Sequence, residues 1–128
     1  MKFPFSLIMK PLGGIGIDRN PKLGKPKRKM VDVMADLFDD HKELCMVVTP
    51  EGTRKKATKW KTGFYYVARK ANVPVAIGFV DYSRKVAGIK DVFYLSDDLD
   101  AEMKKIMSYY DGLNGKFPEK FSLDLRYA

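Results

Sequence analysis

The sequence predicts an α/β chain with a mixed, mostly parallel sheet flanked by helices. Two observations predict it. Continuously apolar runs of strand length occur at "LCMVV" (44–48), "VAIGFVDY" (75–82) and "VFYL" (92–95), and such runs suit strands buried on both faces. Between and after them, apolar residues return every three or four positions, the period of a helix with one buried face.

In chain order, Gly13, Gly14 and Gly16 mark a turn leading into the short apolar "IGI". "NPKLGKPKRK" (20–29) is a basic loop punctuated by Pro and Gly. Val31, Met34, Leu37 and Phe38 then share one helical face, with Asp32, Asp36, Asp39 and Asp40 elsewhere on the helix. "LCMVV" reads as the first buried strand. Trp60, Phe64, Val67, Ala68 and Ala71 mark a second helical face, which "NVP" (72–74) stops. "VAIGFVDY" and "VFYL" read as the next two strands. Asp97 and Asp98 are placed to cap a last helix carrying Leu99, Met103, Ile106, Met107 and Tyr110 inward. No repeat, low-complexity tract or linker divides the chain, so residues 1–128 read as one domain.

Charge narrows the partners. Lys and Arg number 24 against 16 Asp and Glu, for a net charge of +8. The excess is clustered: residues 1–31 hold eight bases and one acid, and residues 54–70 hold seven bases and no acid. Residues 91–128 reverse the balance with eight acids and five bases. Two basic patches on an otherwise balanced chain point to an anionic partner, such as phosphate esters, acidic lipid headgroups or nucleic acid; the plainer reading is a basic face kept for solubility. Cys45 is the only cysteine, which excludes an intrachain disulfide and a cysteine metal cluster. Within "ELCMVV" it reads as a buried structural thiol in a reducing compartment. The apolar run in "MKFPFSLIMK" is broken by Pro4 and closed by Lys10, too short to span a bilayer.

One stretch raises a chemical question. "VVTPEGTRKK" (47–56) ends an apolar run in Pro-Glu-Gly-Thr-Arg and then turns basic. Pro50 and Gly52 take the second and fourth positions favoured in a type I turn. At the carboxyl end of a parallel strand, such a turn lies where α/β sheets hold ligands. Arg54 offers planar, bidentate donors to phosphate, and Gly52 admits a ligand to the backbone. Glu51 would repel phosphate, so it suits an arginine or a hydroxyl. A turn closed by a local Glu51–Arg54 ion pair explains these residues equally well.

Here the sequence resembles the glycerolipid acyltransferases, typified by 1-acylglycerol-3-phosphate acyltransferase. "VTPEGTR" (48–54) is similar to that family's third motif, Phe-Pro-Glu-Gly-Thr-Arg. "GGIGIDR" (13–19) is similar to its second, and "VPVAIGF" (73–79) to its fourth. Order and separation agree, and "KWKTGFYYVARKANVP" suits the helix between the last two. The resemblance covers nearly the whole chain.

The resemblance implies a partial glycerolipid-acyltransferase fold and a transferase of phospholipid biosynthesis. Arg19, Glu51, Gly52, Thr53 and Arg54 would line the site for the acceptor's phosphate and glycerol. An acyl group would pass from a coenzyme A or acyl-carrier-protein thioester to a lysophosphatidate-like hydroxyl, with no cofactor beyond the donor. The family takes the hydroxyl proton with a His-x-x-x-x-Asp pair. In this sequence the one histidine, His41, is followed by "KELCM", so Met46 stands in the aspartate's place. His41 also follows the second motif rather than preceding it, and reads as an exposed loop residue. The family's first motif would belong upstream of Met1, so the domain reads as N-terminally truncated and inactive or nearly so alone. Loss of a general base costs about 10²- to 10⁴-fold in rate.

Further expectations accompany that reading. The protein is expected in the cytoplasm, peripheral at the inner face of the membrane, with "KFPFSLIMK" and "NPKLGKPKRK" touching anionic lipid. Incomplete coverage of its sheet predicts bare apolar surface and a homo-oligomer. The competing class is a non-catalytic basic module binding anionic lipid or a protein. Nucleic acid ranks below both, because Trp60, Phe64, Tyr65 and Tyr66 sit at helical spacing rather than as base-stacking platforms.

Overall fold

A computed structural model describes Pro11 and residues 28–128. The short apolar "IGI", most of the basic loop, "KFPFSLIMK" and Arg19 lie outside the described residues. The described elements run α1 (Met30–Asp40), α2 (Gly63–Ala71), β1 (Val75–Asp81), β2 (Val86–Phe93) and α3 (Leu99–Tyr110), then a 3-10 turn at Pro118–Lys120.

All three expected helices form, but Trp60, expected on the second helical face, precedes α2, which begins only at Gly63. Asp98 caps α3, accepting from the Ala101 N–H at 3.0 Å; its neighbour Asp97 instead pairs with Arg69. Helix α2 stops at Asn72, which takes a left-handed φ of 51° and turns its N–H back onto the Ala68 and Arg69 carbonyls. Arg69 and Lys70 in its last turn complement the helix dipole. Helix α1 packs against α2, and Lys70 reaches Asp32 at 2.5 Å across that seam. Of the α1 residues only Ala35 is fully buried, and Val31, Met34, Leu37 and Phe38 are half-buried.

The mixed, mostly parallel sheet is corrected. Among the described residues the sheet is a two-stranded antiparallel hairpin of β1 and β2. Four residues, 82–85, join the strands, whereas a parallel pair needs a crossover of a dozen or more. Asp81 builds the turn: its carboxylate accepts from the Ser83 N–H at 3.0 Å, the Ser83 hydroxyl at 2.7 Å, the Arg84 N–H at 3.1 Å and Arg84 Nε at 2.8 Å. These bonds hold the buried carboxyl far below the usual carboxylate range, the Ser83 hydroxyl contributing most. Of "VFYL" only Val92 and Phe93 are in a strand, as the end of the longer β2, whose first half is hidden in the sequence by Gly88 and Lys90 interrupting the apolar run.

Burial is one-sided. Ile77 and Asp81 of β1 are buried, yet Ala76, Gly78 and Val80 are exposed, as are their cross-strand partners Val92, Ile89 and Ala87. So "VAIGFVDY" is a strand with one covered face. "LCMVV" is the larger correction. Residues 44–48 form no strand, Val47 is 88% exposed, and Cys45 is an exposed thiol. Among the described residues none of their backbone groups pairs with another segment, and an apolar run without a neighbouring strand has no ladder to join.

The core sits between α2, the inner face of β1 and α3. Met103, Ile106 and Met107 pack with Trp60, Tyr65, Ala68, Ile77 and Leu95. The Tyr110 hydroxyl donates to the Gly78 carbonyl at 2.9 Å, tying α3 to the hairpin.

Candidate functional site

The expected turn is present. The Gly52 N–H donates to the Thr49 carbonyl at 3.0 Å, closing residues 49–52. Gly52 has φ +63°, a conformation that a side chain disfavours. The Thr53 hydroxyl accepts from the Lys55 N–H at 3.1 Å, which curls the chain away after the glycine.

Around this turn Glu51 is half-buried, and burial pushes its carboxyl up. Among the described residues neither Glu51 nor Arg54 takes part in an ion pair, so the local Glu51–Arg54 bridge is not made. Gly52, Thr53 and Arg54 are exposed. The structure thus brings Glu51, Gly52, Thr53 and Arg54 together on one open turn, while Arg19 lies outside the described residues.

Something must hold an exposed turn in place, and here it is Trp60 and Lys61, tied to a C-terminal segment the sequence did not single out. The Lys61 N–H donates to the Pro50 carbonyl at 2.8 Å. Next to it, Trp60 is buried and gripped from the C-terminal segment on every polar atom. Its N–H donates to Asp124 Oδ2 at 2.9 Å, its indole N–H to the Ser122 carbonyl at 3.0 Å, and its carbonyl accepts from Arg126 at 2.9 Å. The Leu125 N–H donates to the Thr58 carbonyl at 3.0 Å. The Trp60 ring meets Tyr110 edge-on at 5.5 Å, which anchors the segment to α3.

Asp124, wholly buried, is the hub of that grip. Arg126 donates to both of its oxygens, at 3.0 and 2.6 Å. That contact, helped by the Trp60 and Arg126 backbone N–H groups, holds the carboxyl down to about 2 against the opposing pull of burial. Nothing local marks Asp124 as special, because its partner Trp60 lies 64 residues away. Lys61 did carry a signal, being the basic residue just before the helix that follows the turn.

His41 is not in this site. It is exposed, at the C-terminal cap of α1, and its Nδ1–H donates to the Leu37 carbonyl at 2.9 Å. The ring closes a helix end, and its exposure agrees with the sequence reading of it as an exposed loop residue.

Comparison with known proteins gives the class. The acyltransferase family pattern matches residues 2–77, more than half of the chain. The chain belongs to the acyltransferase family. The match takes in the 49–54 turn, Lys61 and α2, and stops inside β1, so the Asp124–Arg126 clamp lies beyond it. No curated protein matches the chain, and neither does any solved structure.

Among the described residues no helix is long and apolar enough to cross a membrane.

Proposed function

We propose that this chain binds a phosphate-bearing, lysophosphatidate-like acceptor at the 49–54 turn, in the service of acyl transfer from a coenzyme A or acyl-carrier-protein thioester. The observation that carries the reading is the turn itself within an acyltransferase chain. An arginine with no carboxylate partner among the described residues stands two positions from an exposed glycine backbone. Arg54 supplies charge-assisted donors to the phosphate. Glu51, half-buried, is suited to accept from a glycerol hydroxyl. Arg19 joins Arg54 on the phosphate in this reading. Working at the inner, anionic face of the membrane, the protein would meet its acceptor in the lipid surface.

The chain's own residues supply acceptor binding better than chemistry. Acyl transfer needs a base for the hydroxyl proton, and the one histidine is engaged at a helix end. That placement favours a second reading, a non-catalytic module that binds anionic lipid through the same turn. Calorimetric titration of glycerol 3-phosphate tests the shared claim. Arg54→Ala is expected to weaken binding by about 1.5–3 kcal/mol; unchanged affinity in both Arg19→Ala and Arg54→Ala refutes it. A thioester-dependent transfer assay then separates the two readings, with activity abolished by His41→Ala excluding the non-catalytic one.

A further inference from the structure

We propose that Lys61 is a second anion-binding side chain of the turn, holding the acceptor's phosphate monoester jointly with Arg54. The inference rests on the reading of residues 49–54 as the acceptor site.

The geometry is specific. A Cβ placed on Gly52 would meet Lys61 Nζ at 2.8 Å, Cε at 2.9 Å and Cδ at 3.1 Å. The lysine side chain is therefore laid across the glycine, with its ammonium over the Gly52 backbone. A side chain at position 52 would make the end of the lysine shift. The backbone fixes where the lysine stem starts: Lys61 is fastened to the Pro50 carbonyl at 2.8 Å, and Trp60 before it is clamped by Asp124 and Arg126.

Among the described residues the ammonium has no protein counter-charge. Lys61 is in none of the ion pairs among the described residues. Glu51, the nearest acid in sequence, is pushed up by burial with no cation pulling it back. No acid occurs anywhere from Arg54 to Lys70. Lys61 lies over Gly52, and Arg54 follows two positions along the same turn, neither paired with a carboxylate among the described residues. A planar fork and a compact point charge on one turn suit a phosphate dianion, which can accept from both at once. Two unpaired cations favour a monoester carrying two charges over a singly charged diester.

The test compares Lys61→Met, which keeps the stem over Gly52 and removes the charge, with Lys61→Arg and Arg54→Ala. Each is titrated with inorganic phosphate, with glycerol 3-phosphate, and with lysophosphatidate in phosphatidylcholine vesicles. Lys61→Met is expected to bind about tenfold more weakly, as for loss of one charge-assisted contact, with its melting temperature unchanged. Lys61→Arg should retain most of the affinity. Binding of all three probes identifies a phosphate site, and binding of lysophosphatidate alone a headgroup site; the Lys61→Met loss supports the proposal in either case. If Arg54→Ala weakens binding while Lys61→Met binds as the parent does, Lys61 only packs on the glycine and the proposal fails alone. If the parent binds none of the probes, the acceptor-site reading fails, and this proposal with it.

Discussion

Residues 44–48 form a continuous apolar run, helix α3 spaces its apolar residues along one face, and the structure treats the two oppositely. Met103 on α3 is 0% exposed, whereas Val47 is 88% exposed. The difference lies in what each segment brings with it. Helix α3 satisfies its own backbone, is capped by Asp98, and repeats apolar residues on one face, so it needs only a surface to lie against. "LCMVV" as a strand would need a neighbour for every backbone group, and among the described residues it has none. Apolar content makes a segment eligible for the core, and backbone pairing decides whether it enters. The 49–54 turn stands on the open segment and takes its fixity from the packed one, through Trp60.

The contrast can be broken most forcefully at its packed end. Met103→Ala should cost about 2–5 kcal/mol, the usual price of truncating a large buried side chain, read as a fall in the chemical-denaturation midpoint. Next is the link between the two regions. Asp124→Ala leaves Arg126 and the Trp60 N–H without their acceptor and should cost about 1–3 kcal/mol, with the 49–61 segment loosening before the core.

The same link has a pH signature. Because the folded carboxyl of Asp124 is held down, its stabilisation is complete above its ordinary value of 3.8. It fades as pH falls and is gone below about 2. Asp81 adds a loss of the same sign. Acid unfolding followed by circular dichroism should therefore steepen below pH 3.8 in the parent and less so in Asp124→Asn. A smaller effect is expected at Gly52→Ala, about 1 kcal/mol for a side chain at positive φ, together with displacement of the Lys61 side chain. Smallest of all is Val47→Ser, within about 0.5 kcal/mol, as for an exposed residue that packs on nothing.

Legibility in the sequence followed the range of the forces involved. The three helices could be read because caps and apolar period are local, down to the Asp98 cap and the Asn72 stop. The 49–52 turn was legible for the same reason, from Pro50 and Gly52. Strand pairing is not local. The hairpin was missed because Gly88 and Lys90 mask the first half of β2, and because the Asp81 turn shows itself only once four donors converge on one carboxylate. Within the candidate site, Glu51, Gly52, Thr53 and Arg54 were legible as a motif. Asp124 and Arg126 were not, since their meaning depends on Trp60 being brought to them across most of the chain.

The central claim is that an open turn is held in place by the packed core through the Asp124–Trp60 grip. Amide hydrogen exchange in the parent and in Asp124→Asn tests it most directly. The account predicts that the Lys61 amide, bonded to the Pro50 carbonyl, and the Gly52 amide, bonded to Thr49, exchange markedly faster in the variant. Amides in the centre of α3 should stay slow. Equal protection of Lys61 and Gly52 in the two proteins would contradict it, and would mean that the turn holds itself.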